Sequence, residues 1–283
     1  MDYLMRKDSP LTEREWSEVD EVVRRVITAQ LVGRRFLSLF GPMGPGSQVV
    51  PVDLSLPFDT GESNMLGQSD EAVTISSRVY QKMPMLYRDF ILFWRDIEAS
   101  RTQGTPIDWS SAERAASDVA RAEDRLILLG GKTDNLPGLL NVEGRRVIEH
   151  EDWSLGGKGF QSVVEALNIL STLGFYPPYT VIVSPSTFAI WHRLYGNSGV
   201  LEVNQIRELV QGGVYVSLFM PRDEALVVAN AAENLDLAIG VDTSIAFLES
   251  SAMNYRFRVL ETLSLRVKQP ASVCHLIPLS PSA

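Results

Sequence analysis

Apolar residues recur at helical spacing early in the chain. Trp16, Val19, Val23, Val26 and Ile27 fall on one face, with Glu18, Asp20, Glu21, Arg24 and Arg25 between them. Thr12 and Glu15 ahead of this stripe have the spacing of a capping box, and Leu11 and Trp16 that of a hydrophobic staple. The pattern predicts an amphipathic helix with one face packed on the rest of the molecule. A second stripe, Ala112, Ala115, Ala116, Val119, Ala122, Leu126 and Ile127, follows a Ser110-Ser-Ala-Glu113 box and stops at Gly130-Gly131. Its alanine-rich first half predicts close helix packing.

Between the two helices the period changes. Gln48–Leu54 and Ala72–Tyr80, separated by a Gly/Asn/Ser-rich middle, predict a long β-hairpin. A two-stranded hairpin is marginal in water by itself, so the expectation is that this one lies on a neighbour, with an ordinary surface hairpin as the other reading. From about residue 138 helices and strands mix. Phe160, Val163, Val164, Leu167, Leu170 and Leu173 form a helix closed by Gly174. Tyr179–Val183 reads as a strand, Ser184-Pro185 as the cap and first turn of a helix reaching Leu194, and Tyr195–Gly199 as a loop. Leu201–Val210 is helical and Val214–Phe219 a strand. Short strands complete the chain at Ala225–Ala229, Leu235–Ile239, Ser244–Leu248 and Tyr255–Val267. The order of elements predicts an α+β protein.

Composition narrows the function classes. The 283 residues are enough for a sizeable core, and a formal net charge of −9 argues against nucleic acid as a partner. With one cysteine, Cys274, no intrachain disulfide forms, as expected of a reducing compartment. The first residues lack the apolar core of a signal peptide, and no apolar run approaches the ~20 residues of a membrane span. A cytoplasmic chain without membrane partners is the expectation.

The candidate chemistry is thin. His150, His192 and His275 are the only histidines, and none sits in a catalytic motif. Cys274 and His275 are adjacent on a strand and therefore point to opposite faces, which disfavours a nucleophile–base pair. The Gly-Lys-Thr of residues 131–133 follows a helix and lacks the first glycine of a phosphate loop, so it reads as a helix terminator. Gly156-Gly-Lys-Gly159 before a helix reads either as an anion cradle or as a flexible loop. Glu123-Asp124 and Glu18/Glu21 have no histidine beside them, and Glu-x-x-His repeats of an iron-oxidising centre are absent. Solvated faces or intersubunit ion pairs are the expectation for these carboxylates, with no metal site.

Several blocks together resemble the encapsulins, the linocin-like shell proteins that share the fold of tailed-phage major capsid proteins. They are the capped N-terminal helix running into Gly41-Pro42, Pro84-Met-Leu-Tyr-Arg-Asp-Phe90, Phe93-Trp-Arg-Asp-Ile-Glu98, Gly138-Leu-Leu140, Gly174-Phe-Tyr-Pro-Pro-Tyr179, Val200-Leu-Glu202 and Phe257-Arg-Val-Leu-Glu261. Their order covers nearly the whole chain. The resemblance implies a tailed-phage major-capsid-like fold. Residues 1–46 would hold the N-terminal helix and the start of a peripheral domain, and 47–83 an extended loop reaching the next subunit. Residues 84–137 would be peripheral with a spine helix, 138–224 an axial domain, and 225–283 peripheral strands.

What the resemblance implies for function is self-assembly into an icosahedral shell of 60 copies or a multiple. Cargo enzymes would be held through a C-terminal peptide. The positions matching the cargo-peptide groove are Ile27, Leu31, Arg34, Ser38, Asp242 and Ile245, although Ser38 lacks the carboxylate of some relatives. Gly196, Asn197, Ser198 and Gly199 match a pore loop, with Glu202 a candidate charge near its rim. Trp94 matches a tryptophan beside which some encapsulins bind flavin; no other cofactor is implied. Ferritin-like cargo and iron storage are the leading expectation, and cargo resembling a dye-decolorising peroxidase the next. A phage or prophage capsid protein is the nearest alternative, and a flavin-dependent oxidoreductase or a hydrolase is the alternative of another class.

Overall fold

A computed structural model describes residues 3–55, 65, 74–132, 135–195 and 199–279. Two sheets and a projecting hairpin organise the chain. The four-stranded sheet has the order β1 (Leu39–Phe40), β9 (Leu235–Ser251), β10 (Asn254–Val267), β4 (Met85–Leu92). The five-stranded sheet has the order β5 (Arg146–His150), β11 (Val273–Pro278), β8 (Ala225–Ala229), β6 (Tyr179–Val183), β7 (Gln211–Val216). The hairpin pairs β2 (Val49–Ser55) with β3 (Ile75–Lys82), and its connecting middle lies outside the described residues.

The expected division of the chain places residues 225–283 together, whereas the structure splits them between sheets. β9 and β10 belong to the four-stranded sheet, and β8 and β11 join the five-stranded one. Short-range patterning carries no record of which sheet a strand enters. β6 and β8 are buried along their whole length because both faces are covered. Ile182, Leu226 and Val228 face a core shared with Leu237, Leu263 and Leu265 of the other sheet. Val181, Val183 and Val227 face a second core under α4 (Lys158–Thr172) and α6 (Glu202–Val210).

The remaining core lies between the four-stranded sheet and two helices, α1 (Glu13–Gln30) and α3 (Ser110–Leu129). The Thr12 box forms as expected: Glu15 N–H donates to Thr12 Oγ1 (3.3 Å) and Thr12 N–H to Glu15 Oε2 (2.7 Å). The second box does not. Trp109 occupies the N-cap of α3, and Ser110 N–H donates instead to Asp108 Oδ1 (2.9 Å). Gly130 ends α3 at φ +71°, where a Cβ would lie 2.1 Å from the Leu136 carbonyl oxygen. One helix was absent from the periodicity, α2 (Trp94–Gln103), which follows β4; α5 (Pro185–Trp191) starts at its expected Ser184 cap but stops before the expected Leu194.

The gap expected between strands at Ile239 and Ser244 is not a turn. β9 runs through it, and its pairing with β10 slips between Leu260 and Leu263, so that Asp242 and Thr243 together oppose Glu261. Gly240 permits the close approach, since a Cβ there would meet Thr262 Oγ1 at 2.5 Å. The polar interruption is a bulge, and it is where the candidate site forms.

Candidate functional site

α1 buries Trp16, Val19, Val23 and Ile27 against the sheet and α3. The edge of that face and the bulge of β9 leave a groove of about 500 Å³ between them. Val23, Ile27, Leu31 and Ile245 supply its apolar surface. Arg6 and Asp20 stand toward one end, joined by two bonds of 2.7 and 2.8 Å. The Arg6 guanidinium also lies 4.4 Å from the Trp16 ring centroid. Of the six positions matched from the sequence, Ile27, Leu31, Arg34, Asp242 and Ile245 line this groove. Ser38 does not. It is exposed beyond the helix, and its carbonyl accepts the Leu237 N–H (2.9 Å).

Arg34 is not a free contact residue. Its Nε and Nη2 donate to Glu123 (3.0 and 2.8 Å), Nη2 to Glu261 (2.9 Å), and Nη1 to Asp242 (2.6 Å). Glu123 and Glu261 have no exposed side-chain surface, whereas Asp242 is 67% exposed. Burial works against the Arg34 charge, but Glu123 and Glu261 outweigh it and hold the guanidinium above the ordinary arginine value. Burial, then the neighbouring Glu123 charge, pushes the Glu261 carboxyl well above the usual carboxylate range. Burial also opposes ionisation of Asp242, yet Arg34 holds it below that range. The arrangement therefore presents one carboxylate, Asp242, at the groove mouth, backed by an internally neutralised cluster.

Asp124, beside Glu123, accepts N–H groups from Val32 (3.0 Å) and Gly33 (2.9 Å) and so ties the chain leaving α1 to α3. Burial raises its pKa to about 6, against the pull of those two N–H groups. The expectation of solvated or intersubunit carboxylates at Glu123-Asp124 is thus corrected: both are buried within one chain. A signal was available. Glu123 lies four residues from both Val119 and Ile127, on the buried stripe of α3.

Two other expectations fall elsewhere. Gly196, Asn197 and Ser198 lie outside the described residues; Gly199 is described, at φ +72°. The loop's ends are joined by Tyr195 N–H to the Val200 carbonyl (2.8 Å) and by a Leu194–Leu201 bridge. Glu202 is fully buried and does not stand at a rim. Its Oε1 accepts the Phe160 N–H (2.8 Å) and its Oε2 the Arg193 Nε–H (3.3 Å). The start of α4 after Gly156-Gly157 is therefore already satisfied by an internal carboxylate, which removes the anion-cradle reading. Trp94 is half-buried in the first turn of α2, with Arg95 5.8 Å from its ring centroid, and is not part of the groove.

The residues weighed for catalysis are also placed. Cys274 is buried in the core under α4, and burial pushes its thiol up to about 12. His275, on the other face of β11, contacts Glu224 (2.6 Å), and burial lowers its pKa. Among the described residues no group of three or more His, Cys, Asp or Glu is arranged to hold a metal. No helix among them is long and apolar enough to cross a membrane.

A family model described as the encapsulating protein for peroxidase matches residues 1–264. A type 1 encapsulin shell protein of Myxococcus xanthus is 41% identical over 276 residues, covering 97% of this chain and 96% of that protein. A diheme-cytochrome–encapsulin shell fusion protein of Kuenenia stuttgartiensis is 40% identical, covering 94% of this chain and 73% of its own length. Among solved structures, a virus-like particle from Pyrococcus furiosus superposes with a TM-score of 0.77 at 20% identity, over 94% of this chain and 100% of that one. The capsid of Myoviridae phage XM1 reaches 0.63 at 13% identity, over 87% and 90%. The last two show the capsid fold, and the family model and the Myxococcus relative show the lineage: this chain belongs to the encapsulin family, structural proteins that form capsid-like compartments.

Proposed function

We propose that the groove between α1 and the β9 bulge receives an extended C-terminal peptide of a cargo protein, which the shell thereby encloses. The supporting observation is the convergence of Ile27, Leu31 and Ile245 with Asp242 in one groove of about 500 Å³, from segments more than 200 positions apart. An extended peptide presents alternate side chains, so apolar anchors seat in such a groove while a charged neighbour meets the mouth. The cargo we infer is ferritin-like and the role iron sequestration. A relative in Pyrococcus furiosus, 23% identical over 204 residues (72% of this chain, 55% of that protein), is a ferritin-like–encapsulin shell fusion. The family description favours peroxidase as the second reading.

Shells isolated from the native cell test both readings. Mass spectrometry of the enclosed protein, with iron measured per particle, is expected to return a ferritin-like protein and bound iron. A peroxidase without iron enrichment would select the second reading. Thr28, an exposed residue on the groove wall, offers a blocking substitution that leaves the core alone. Thr28→Trp is expected to give intact but empty particles, and full cargo in those particles would refute the groove.

A further inference from the structure

Among the described residues, the β2–β3 hairpin pairs with no third strand. Ile75, Val79 and Tyr80 on it are exposed. A ribbon of this kind needs support, and in a capsid-like compartment a second copy of the chain supplies it. Where that contact falls depends on the angle at which the hairpin leaves the four-stranded sheet. From Val49 to Ser55 it extends about 20 Å at ~3.4 Å per residue, so ~10° of rocking at the base displaces its far end by about 3–4 Å. That is most of the spacing between neighbouring strands.

The base is held by polar contacts to one stretch of β10. From β3, Gln81 Nε2 donates to Ser264 Oγ (2.6 Å) and to the Leu265 carbonyl (2.7 Å). Ser264 Oγ in turn donates to the Lys82 carbonyl (3.0 Å). From the other strand, the Pro51 carbonyl accepts from Arg266 Nη1 (3.3 Å). Arg266 is itself fixed by two bonds of 2.6 Å to buried Asp236 and by the Phe40 ring, 4.0 Å from its guanidinium carbon. Val50 and Met83, packed on Ala238, are the apolar part of the joint. Apolar packing alone tolerates rotation. Directional bonds to both strands of the ribbon, at neighbouring points on β10, do not.

We propose that Gln81, Ser264 and Arg266 are positioning residues that set the hairpin angle and, through it, the curvature and size of the shell. This goes beyond the cargo groove and does not depend on what occupies it. The test is the diameter distribution of purified particles by electron microscopy, for Gln81→Leu and for Ser264→Ala, with circular dichroism of the same samples. Gln81→Leu keeps bulk and removes the donors; Ser264→Ala removes one hydroxyl. The expected result is a shifted or broadened diameter distribution, or arrest at small oligomers, with secondary structure retained. Wild-type particles from either folded variant would overturn the proposal. So would loss of assembly accompanied by unfolding in Ser264→Ala, which shows a role in stability rather than angle. If Gln81→Leu does not fold, Ser264→Ala decides.

Discussion

Replacing Arg34 by methionine removes the cation that three carboxyl groups share. In the native chain its guanidinium reaches Glu123, Glu261 and Asp242 at 2.8, 2.9 and 2.6 Å. Methionine keeps the apolar stem, so packing is largely preserved and the perturbation is electrostatic. Glu123 and Glu261 have no exposed side-chain surface. Stripping the partner from such buried charges costs about 3–5 kcal/mol. For a chain of this size that lowers the unfolding midpoint by about 10 °C. The defect has a signature that distinguishes it from lost packing. It shrinks as pH falls and Glu261, whose carboxyl burial holds well above the usual carboxylate range, takes up a proton, and most of it is recovered in the triple variant Arg34→Met, Glu123→Gln, Glu261→Gln, where neither buried carboxyl of the cluster remains. Thermal unfolding of dissociated subunits at pH 5 and pH 8 measures both effects. An Arg34→Met midpoint close to wild type at pH 8, or a triple variant no better than the single one, would refute the reasoning.

Asp124 gives a pH dependence of known sign. The fold raises its pKa from 3.8 to about 6, so the folded chain holds this proton more tightly than the unfolded chain does. Its contribution to stability is complete below about 3.8 and lost by about 6, a fall of about 3 kcal/mol that Asp124→Asn removes. Denaturant titrations across pH 4 to 7 should therefore show a smaller drop in the variant than in wild type; parallel curves would contradict the assignment. Gly159 in α4 faces Trp191, and a Cβ there would lie 2.2 Å from the indole nitrogen and 2.8 Å from Cδ1. Gly159→Ala is expected to cost at least about 1–3 kcal/mol through overpacking, despite alanine's better helix propensity. An unchanged unfolding midpoint would show that the indole moves freely.

The sequence by itself determined the local elements with strong periodicity and a clear stop. The Thr12–Glu15 box, the apolar stripe of α1, the end of α3 at Gly130 and the hairpin pairing all follow from interactions within a few residues, and local spacing records those. Blocks scattered along the chain also carried the family resemblance and five of the six groove positions. Tertiary structure decided what local spacing cannot encode. Residues 240–243 read as a break because glycine and polar side chains interrupt an apolar strand; only pairing with β10 turns the break into a bulge that aims Asp242 at the groove. Glu123 read as a solvated or intersubunit charge, and no local pattern marked Glu261. They became buried because Arg34, 89 and 227 positions away, arrives to neutralise them, and the stability of a buried carboxylate depends on a partner that no local pattern reveals. The same holds for Glu202, which the resemblance placed near a rim and the fold placed at the N-terminus of α4. Strand order between the two sheets, too, is set by long-range pairing and shared burial rather than by the composition of each strand.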